Sequence, residues 1–113
     1  MKFSVVIITH NNFSEKNGCI ETVLLAILNQ KQVDVEIVLV DNNSSDFDKK
    51  MLNNLVKSED RITLINNPIN NISSGRNLGA KNSNNDYIIV FSIFQYVFVN
   101  FFTMLFIPSF LSP

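Results

Sequence analysis

At 113 residues with a net charge of −1, the chain fits one domain and lacks the basic excess of a nucleic-acid-binding surface. One cysteine excludes an internal disulfide and agrees with a reducing, cytoplasmic setting. No signal peptide is read, because the apolar run after Lys2 is short and soon broken by His10-Asn11-Asn12.

Phe3-Ser4-Val5-Val6-Ile7-Ile8-Thr9 is a near-continuous aliphatic run ending in polar turn residues, which predicts a strand. Ile20, Val23, Leu24, Ile27 and Leu28 then fall at helical spacing. Val35-Glu36-Ile37-Val38-Leu39-Val40 is a second aliphatic strand, running at once into Asp41-Asn42-Asn43-Ser44-Ser45-Asp46. Such runs belong to parallel strands covered on both faces. Strand, helix and strand in about 40 residues make a right-handed βαβ unit. Ligands of open α/β sheets bind just beyond the carboxyl ends of these strands, which is where Asp41 falls.

The pattern repeats with less force. Met51, Leu52, Leu55 and Val56 mark a short helix, and Arg61-Ile62-Thr63-Leu64-Ile65 a third strand. Asn66 to Asn71 reads as a loop around Pro68. Ser73 or Ser74 is expected to cap a helix running to about Ser83, with Gly75, Gly79 and Ala80 allowing close packing. Tyr87-Ile88-Ile89-Val90-Phe91 is a fourth strand, and no internal repeat or interdomain linker is present.

These segments, in this order, resemble the amino-terminal half of a family 2 glycosyltransferase with the GT-A fold. The opening strand through Asn11 is similar to the family's first strand, and Leu28-Asn29-Gln30 to the end of its first helix. Glu36 to Asp46 closely resembles the nucleotide-binding segment, Arg76-Asn77-Leu78-Gly79 the Arg-Asn-x-Gly segment, and Asp86-Tyr87-Ile88 the lead into the fourth strand. Residues 3–91 carry the likeness. It implies an α/β, Rossmann-like nucleotide-binding half, with about four mostly parallel strands and flanking helices, incomplete relative to the whole fold.

The resemblance implies a nucleotide-sugar donor and gives the candidate site residues their roles. An ionised carboxylate only accepts hydrogen bonds, so Asp41 would favour uracil, thymine or guanine, each of which presents a ring N–H. The donor would then be UDP-, dTDP- or GDP-linked; the alternative is that Asp41 caps the turn after its strand. Thr9, His10 and Asn11 follow the first strand, where backbone groups would meet the base edge and the imidazole would stack on it, or else form a plain loop. Asn43 joins them in the nucleotide-binding segment. Arg76 is one of two arginines, and the family directs this position at the donor nucleotide; a solvated surface arginine is the alternative. Ser44 and Asp46 are expected to hold the turn that aims Asp41, and Cys19 to pack as a small apolar residue.

The chain then departs from the family. An Asp-x-Asp motif is expected at the end of the fourth strand, where its carboxylates would hold Mg or Mn against the diphosphate. Ser92, Ile93 and Phe94 occupy those positions, and no Asp or Glu follows Asp86. Seven of the ten phenylalanines lie from Phe91 to Phe110, while all but one of the seventeen asparagines lie before Phe91. Residues 1–91 are therefore expected to form the nucleotide-sugar-binding half-domain. Residues 92–113 are expected to form an aberrant apolar tail, from a shifted reading frame or a truncated gene, or else a membrane segment placing the chain at the inner face of the membrane. The whole family would pass its sugar to a glycan or lipid-linked acceptor; this chain alone is expected to lack a catalytic centre. A non-catalytic nucleotide-binding remnant, or a small membrane-associated protein, is the second reading.

Overall fold

The computed structural model describes residues 2–14 and 19–93. In chain order they form β1 (Lys2–Thr9), α1 (Ile20–Leu28), β2 (Asp34–Asn42), α2 (Asp46–Val56), β3 (Ile62–Asn67), α3 (Ile72–Lys81) and β4 (Tyr87–Ser92). The sheet order is β3-β2-β1-β4, and every pair is parallel. Thr9 stands opposite Asp41, and Ile8 opposite Ser92, so β1, β2 and β4 finish together along one edge.

The two central strands are aliphatic along their length because both sheet faces are covered. Phe3, Val5, Ile7, Val35, Ile37 and Leu39 pack with α1 and with Leu52 of α2. Val6, Ile8, Val38 and Val40 form a smaller core on the opposite face, closed by Leu78 of α3. Each such side chain, fully buried, contributes about 1.5–3 kcal/mol. Helix α3 lies over β1 and β2, and on the outer strand β4 Ile88 and Val90 remain exposed.

The helices differ from their expected limits at the amino-terminal ends. α2 starts at Asp46, a turn ahead of its first apolar marker, because its opening turn is polar and Phe47 is 59 % exposed. The cap of α3 is Asn71, with extended backbone and a side chain accepting the Ser74 N–H at 2.9 Å. Ser73 and Ser74 lie inside the helix instead. Gly75 and Gly79 are buried as expected, whereas Ala80 is exposed. Ser92 completes β4 and Ile93 is buried beyond it; the rest of the expected tail lies outside the described residues.

At the opposite end of the sheet, Glu36 clamps the turn before β4. Ser4 donates its hydroxyl to the Glu36 carboxylate, while Asn84 donates its N–H at 2.6 Å and its amide at 3.0 Å. Burial works to raise the Glu36 pKa, but these bonds together outweigh it and hold the group below the usual glutamate value.

Helix α3 comes close to the sheet at Gly79, where an added Cβ would stand 2.2 Å from Val6 Cγ1. Val6 is fully buried and cannot yield. Gly79→Ala should therefore destabilise the protein by about 1–3 kcal/mol or more through overpacking, read as a lower urea midpoint. An unchanged midpoint would mean that α3 does not press on β1.

Candidate functional site

Thr9, Asn42 and Ser92 end three neighbouring strands, and a cavity of about 250 Å³ opens among them. Its polar lining comes from Thr9, His10, Asn12, Asn42, Asn70 and Ser92, and its apolar walls from Ile8, Ile72 and Ile93. None of these side chains is acidic, and none is Lys or Arg. Ligand pockets are usually apolar cavities of roughly 300–1,000 Å³ with a few placed polar groups, so this one suits a small ligand or part of one.

A polar chain links the turns after β1 and β2. Asp41 is 1 % exposed; one carboxylate oxygen, Oδ1, accepts the Ser44 hydroxyl, and the other, Oδ2, has no partner among the described residues. Ser44 Oγ in turn accepts the Asn11 N–H at 2.8 Å. The Asn11 side-chain oxygen accepts the Ser45 N–H at 2.8 Å, which fixes the amide so that its nitrogen donates to His10 Nε2 at 3.1 Å. His10 Nδ1 lies 2.6 Å from the Asn42 carbonyl. A carbonyl only accepts, so Nδ1 carries the hydrogen, and both ring nitrogens are engaged. The imidazole is left to offer a ligand its flat face.

Asn11 and Asn43 have φ of 51° and 49°, a left-handed conformation that asparagine tolerates better than most residues. These two kinks let the turns after β1 and β2 meet. The structure thus joins Asn11 to Asp41 through Ser44 and puts Thr9 and His10 in the cavity wall. Asp41 is the ladder neighbour of Thr9 and is not itself in the wall. Asn43 sits exposed on the turn, and Arg76 is exposed on α3 outside the cavity lining.

Several participants had no reading from the sequence. Asn12 accepts the N–H groups of Cys19 and Ile20 at 2.8 and 2.7 Å, capping α1 from seven and eight residues away. A cap at that distance leaves no local signature. Asp48, fully buried, accepts the N–H groups of Phe13 at 2.7 Å and Ser14 at 3.1 Å, together with the hydroxyls of Ser14 and Ser45. Here a signal existed: Ser45 and Asp48 have the Ser-x-x-Asp spacing of a capping box, and Ser45 does cap α2. Burial would raise the Asp48 pKa, yet the four donors outweigh it and hold the carboxyl below the usual aspartate value.

The glycosyl transferase family 2 model matches residues 4–92. The chain belongs to this family. Among curated members it is 38 % identical over 85 residues to the GalNAc(5)-diNAcBac-PP-undecaprenol beta-1,3-glucosyltransferase of Campylobacter jejuni, covering 75 % of this chain and 25 % of that protein. It is 32 % identical over 66 residues to a glycosyltransferase of Haemophilus influenzae, covering 58 % of this chain and 26 % of the relative. The chain thus spans about a quarter of the length of these relatives. Among solved structures, residues 1–349 of S. aureus TarS superpose with a TM-score of 0.61 at 23 % identity, covering 81 % of this chain and 27 % of that one. A second TarS structure, in complex with UDP-GlcNAc, gives 0.61 at 22 %, covering 81 % and 26 %. The sheet and its helices are accordingly the α/β, Rossmann-like GT-A architecture of family 2.

Family 2 membership raises the question of a divalent metal. Hard cations such as Mg²⁺ are bound by several oxygen ligands, usually including carboxylates. Where the family places its Asp-x-Asp motif, this member offers the Ser92 hydroxyl and the Ile93 hydrocarbon, and the polar cavity lining is amide, hydroxyl and a His10 imidazole whose two nitrogens are already engaged. No group of three His, Cys, Asp or Glu able to hold a metal occurs among the described residues. This donor set does not fit the cation.

Because the Asp48 pKa is lowered on folding, its contribution is present above the unfolded value of about 3.9 and is lost as pH falls through the folded value. Asp48→Asn should cost about 1–3 kcal/mol near pH 7. The gap to the parent should close as pH falls toward 2. Urea unfolding at both pH values tests this, and a gap independent of pH would remove the charged clamp from the account.

Proposed function

We propose that this chain is the donor-binding part of a family 2 glycosyltransferase, recognising a UDP-, dTDP- or GDP-linked sugar. The observation that carries the reading is the unpartnered oxygen of Asp41, buried at the carboxyl end of β2 beside Thr9. An orphaned buried acceptor costs about 1–3 kcal/mol, and a ring N–H from the base would relieve that cost. The His10 face would stack on the base, the kinked turns of Asn11 and Asn43 would shape its rim, and the exposed Arg76 guanidinium would reach for the phosphates. The UDP-GlcNAc complex of TarS supports the same kind of ligand on this fold.

In a complete enzyme, an acceptor hydroxyl would attack the anomeric carbon as the nucleoside diphosphate leaves, with inversion. The name of the Campylobacter relative supports a lipid-linked glycan as the acceptor. With no carboxylate after Asp86 to hold a metal or act as a base, this chain alone would bind donor without transferring sugar. A solely nucleotide-binding role is therefore the second reading.

Calorimetric titration of the full chain should show binding of UDP, dTDP and GDP and little of ADP or CDP. Asp41→Ala should weaken binding about 10- to 150-fold, as for a charge-assisted hydrogen bond of about 1.5–3 kcal/mol. Equal binding of all five, or wild-type affinity in the variant, would remove Asp41 as the base reader.

A further inference from the structure

The chain holds one histidine, the side chain that changes charge between about pH 5 and 8. His10 stands at a junction of fixed polarity between the turns after β1 and β2. Its Nδ1 donates to the Asn42 carbonyl, so its Nε2 accepts, and what it accepts is the Asn11 side-chain N–H at 3.1 Å. The other end of that amide, Oδ1, accepts the Ser45 N–H at 2.8 Å. The Asn11 backbone N–H is held by Ser44 Oγ at 2.8 Å, and the Ser44 hydroxyl in turn holds Asp41. One amide thus meets two neighbours of opposite character, an acceptor on His10 and a donor on Ser45.

Protonation changes one of those neighbours. A charged imidazole donates from both nitrogens, so Nε2–H would face the Asn11 side-chain N–H, donor against donor. Turning the amide over would give its oxygen to His10 but set its nitrogen against the Ser45 N–H. A backbone N–H cannot change role, so neither orientation satisfies both neighbours. The turned amide is the better of the two, because a hydrogen bond from a charged donor is the stronger one. The contact that opens is therefore the one to Ser45.

No neighbouring charge is bonded to the ring. The charged residues at the near ends of the surrounding elements are Asp41 on β2, Glu21 on α1, Asp46 and Asp48 on α2, and Arg76 on α3. Asp48 is occupied by its four donors and Asp41 Oδ1 by Ser44, and none of the five forms an ion pair with His10 among the described residues. The response to charge is set by hydrogen-bond polarity at Nε2.

We propose that His10 and the Asn11 amide form a pH-operated latch between the turns after β1 and β2, closed while the imidazole is neutral and opened at Ser45 when it is charged. Asn11 also carries Ser44, so opening loosens the hydroxyl that holds Asp41. The latch acts without a ligand and stands apart from the nucleotide reading above.

The test is the exchange protection of the Ser45 N–H, read by NMR in the full chain at about pH 7.5 and pH 5 and corrected for intrinsic exchange, beside the His10 titration curve. Protection should fall about three- to tenfold with His10 protonation, as for the loss of one neutral hydrogen bond. Asn11→Asp should reverse the sense. Its carboxylate accepts at both oxygens, so it suits the charged imidazole and the Ser45 N–H together, and aspartate also tolerates the left-handed backbone. Protection in that variant should rise as pH falls. His10→Phe should leave the Ser45 N–H within about twofold at the two pH values, since no group at the junction then titrates. Protection that stays level while His10 titrates, or that falls equally in Asn11→Asp, would overturn the latch.

Discussion

The side-chain amide of Asn42 is the joint on which the carboxyl edge depends. It follows Asp41 directly and is 1 % exposed, so every polar atom it carries needs a partner inside the protein. Its nitrogen donates to the Asn71 carbonyl at 3.1 Å, and its oxygen accepts the Asn67 amide at 2.8 Å. The same Asn67 nitrogen reaches Ser74 at 3.0 Å. An added Cβ at Gly75 would stand 2.8 Å from the Asn42 oxygen, so α3 rests directly on this amide. The end of β2, the end of β3 and the start of α3 are thereby locked as one piece. Arg76 is the next residue of that helix, so its position relative to the cavity follows from the Asn42 contacts.

Two carboxylates hold the loops at opposite ends of the sheet in a similar way. Asp48 gathers the backbone of Phe13 and Ser14 and so anchors the segment that leaves β1. Glu36 gathers Ser4 and Asn84 and so anchors the turn that enters β4. In each case the acceptor is met by several neutral donors, with no cation involved; the one ion pair among the described residues joins Arg61 to Glu59 on the surface. Burial meanwhile pushes the Cys19 thiol up, so it serves as core filler and not as a nucleophile.

Functionally, the molecule separates a rigid sheet from an edge made of amides and hydroxyls. The central strands are packed on both faces and leave little freedom at their ends. The orphaned atoms of Thr9, Asp41 and Ser92 are therefore held in place with their hydrogen-bonding capacity unspent. That is the preorganisation a binding site needs, and the stability it costs is offset by the two cores behind it.

The order of the seven elements and the parallel sheet were legible in the sequence, because continuous aliphatic strands and 3.6-residue spacing are direct consequences of burial. Ser44 holding Asp41 was legible too, since a small hydroxyl three residues on is a local contact. The polar first turn of α2, the Asn71 cap, and the roles of Asn12 and Asp48 were not all beyond reach, but hydrophobic periodicity is blind to them. Tertiary structure alone decided which polar atoms find partners: Asn42 with Asn67, Asp48 with Phe13, His10 with the Asn42 backbone. These pairs lie 25 or more residues apart. Local sequence sets which groups must be satisfied; only the closing of the sheet sets which groups satisfy them, and which stay without a partner among the described residues.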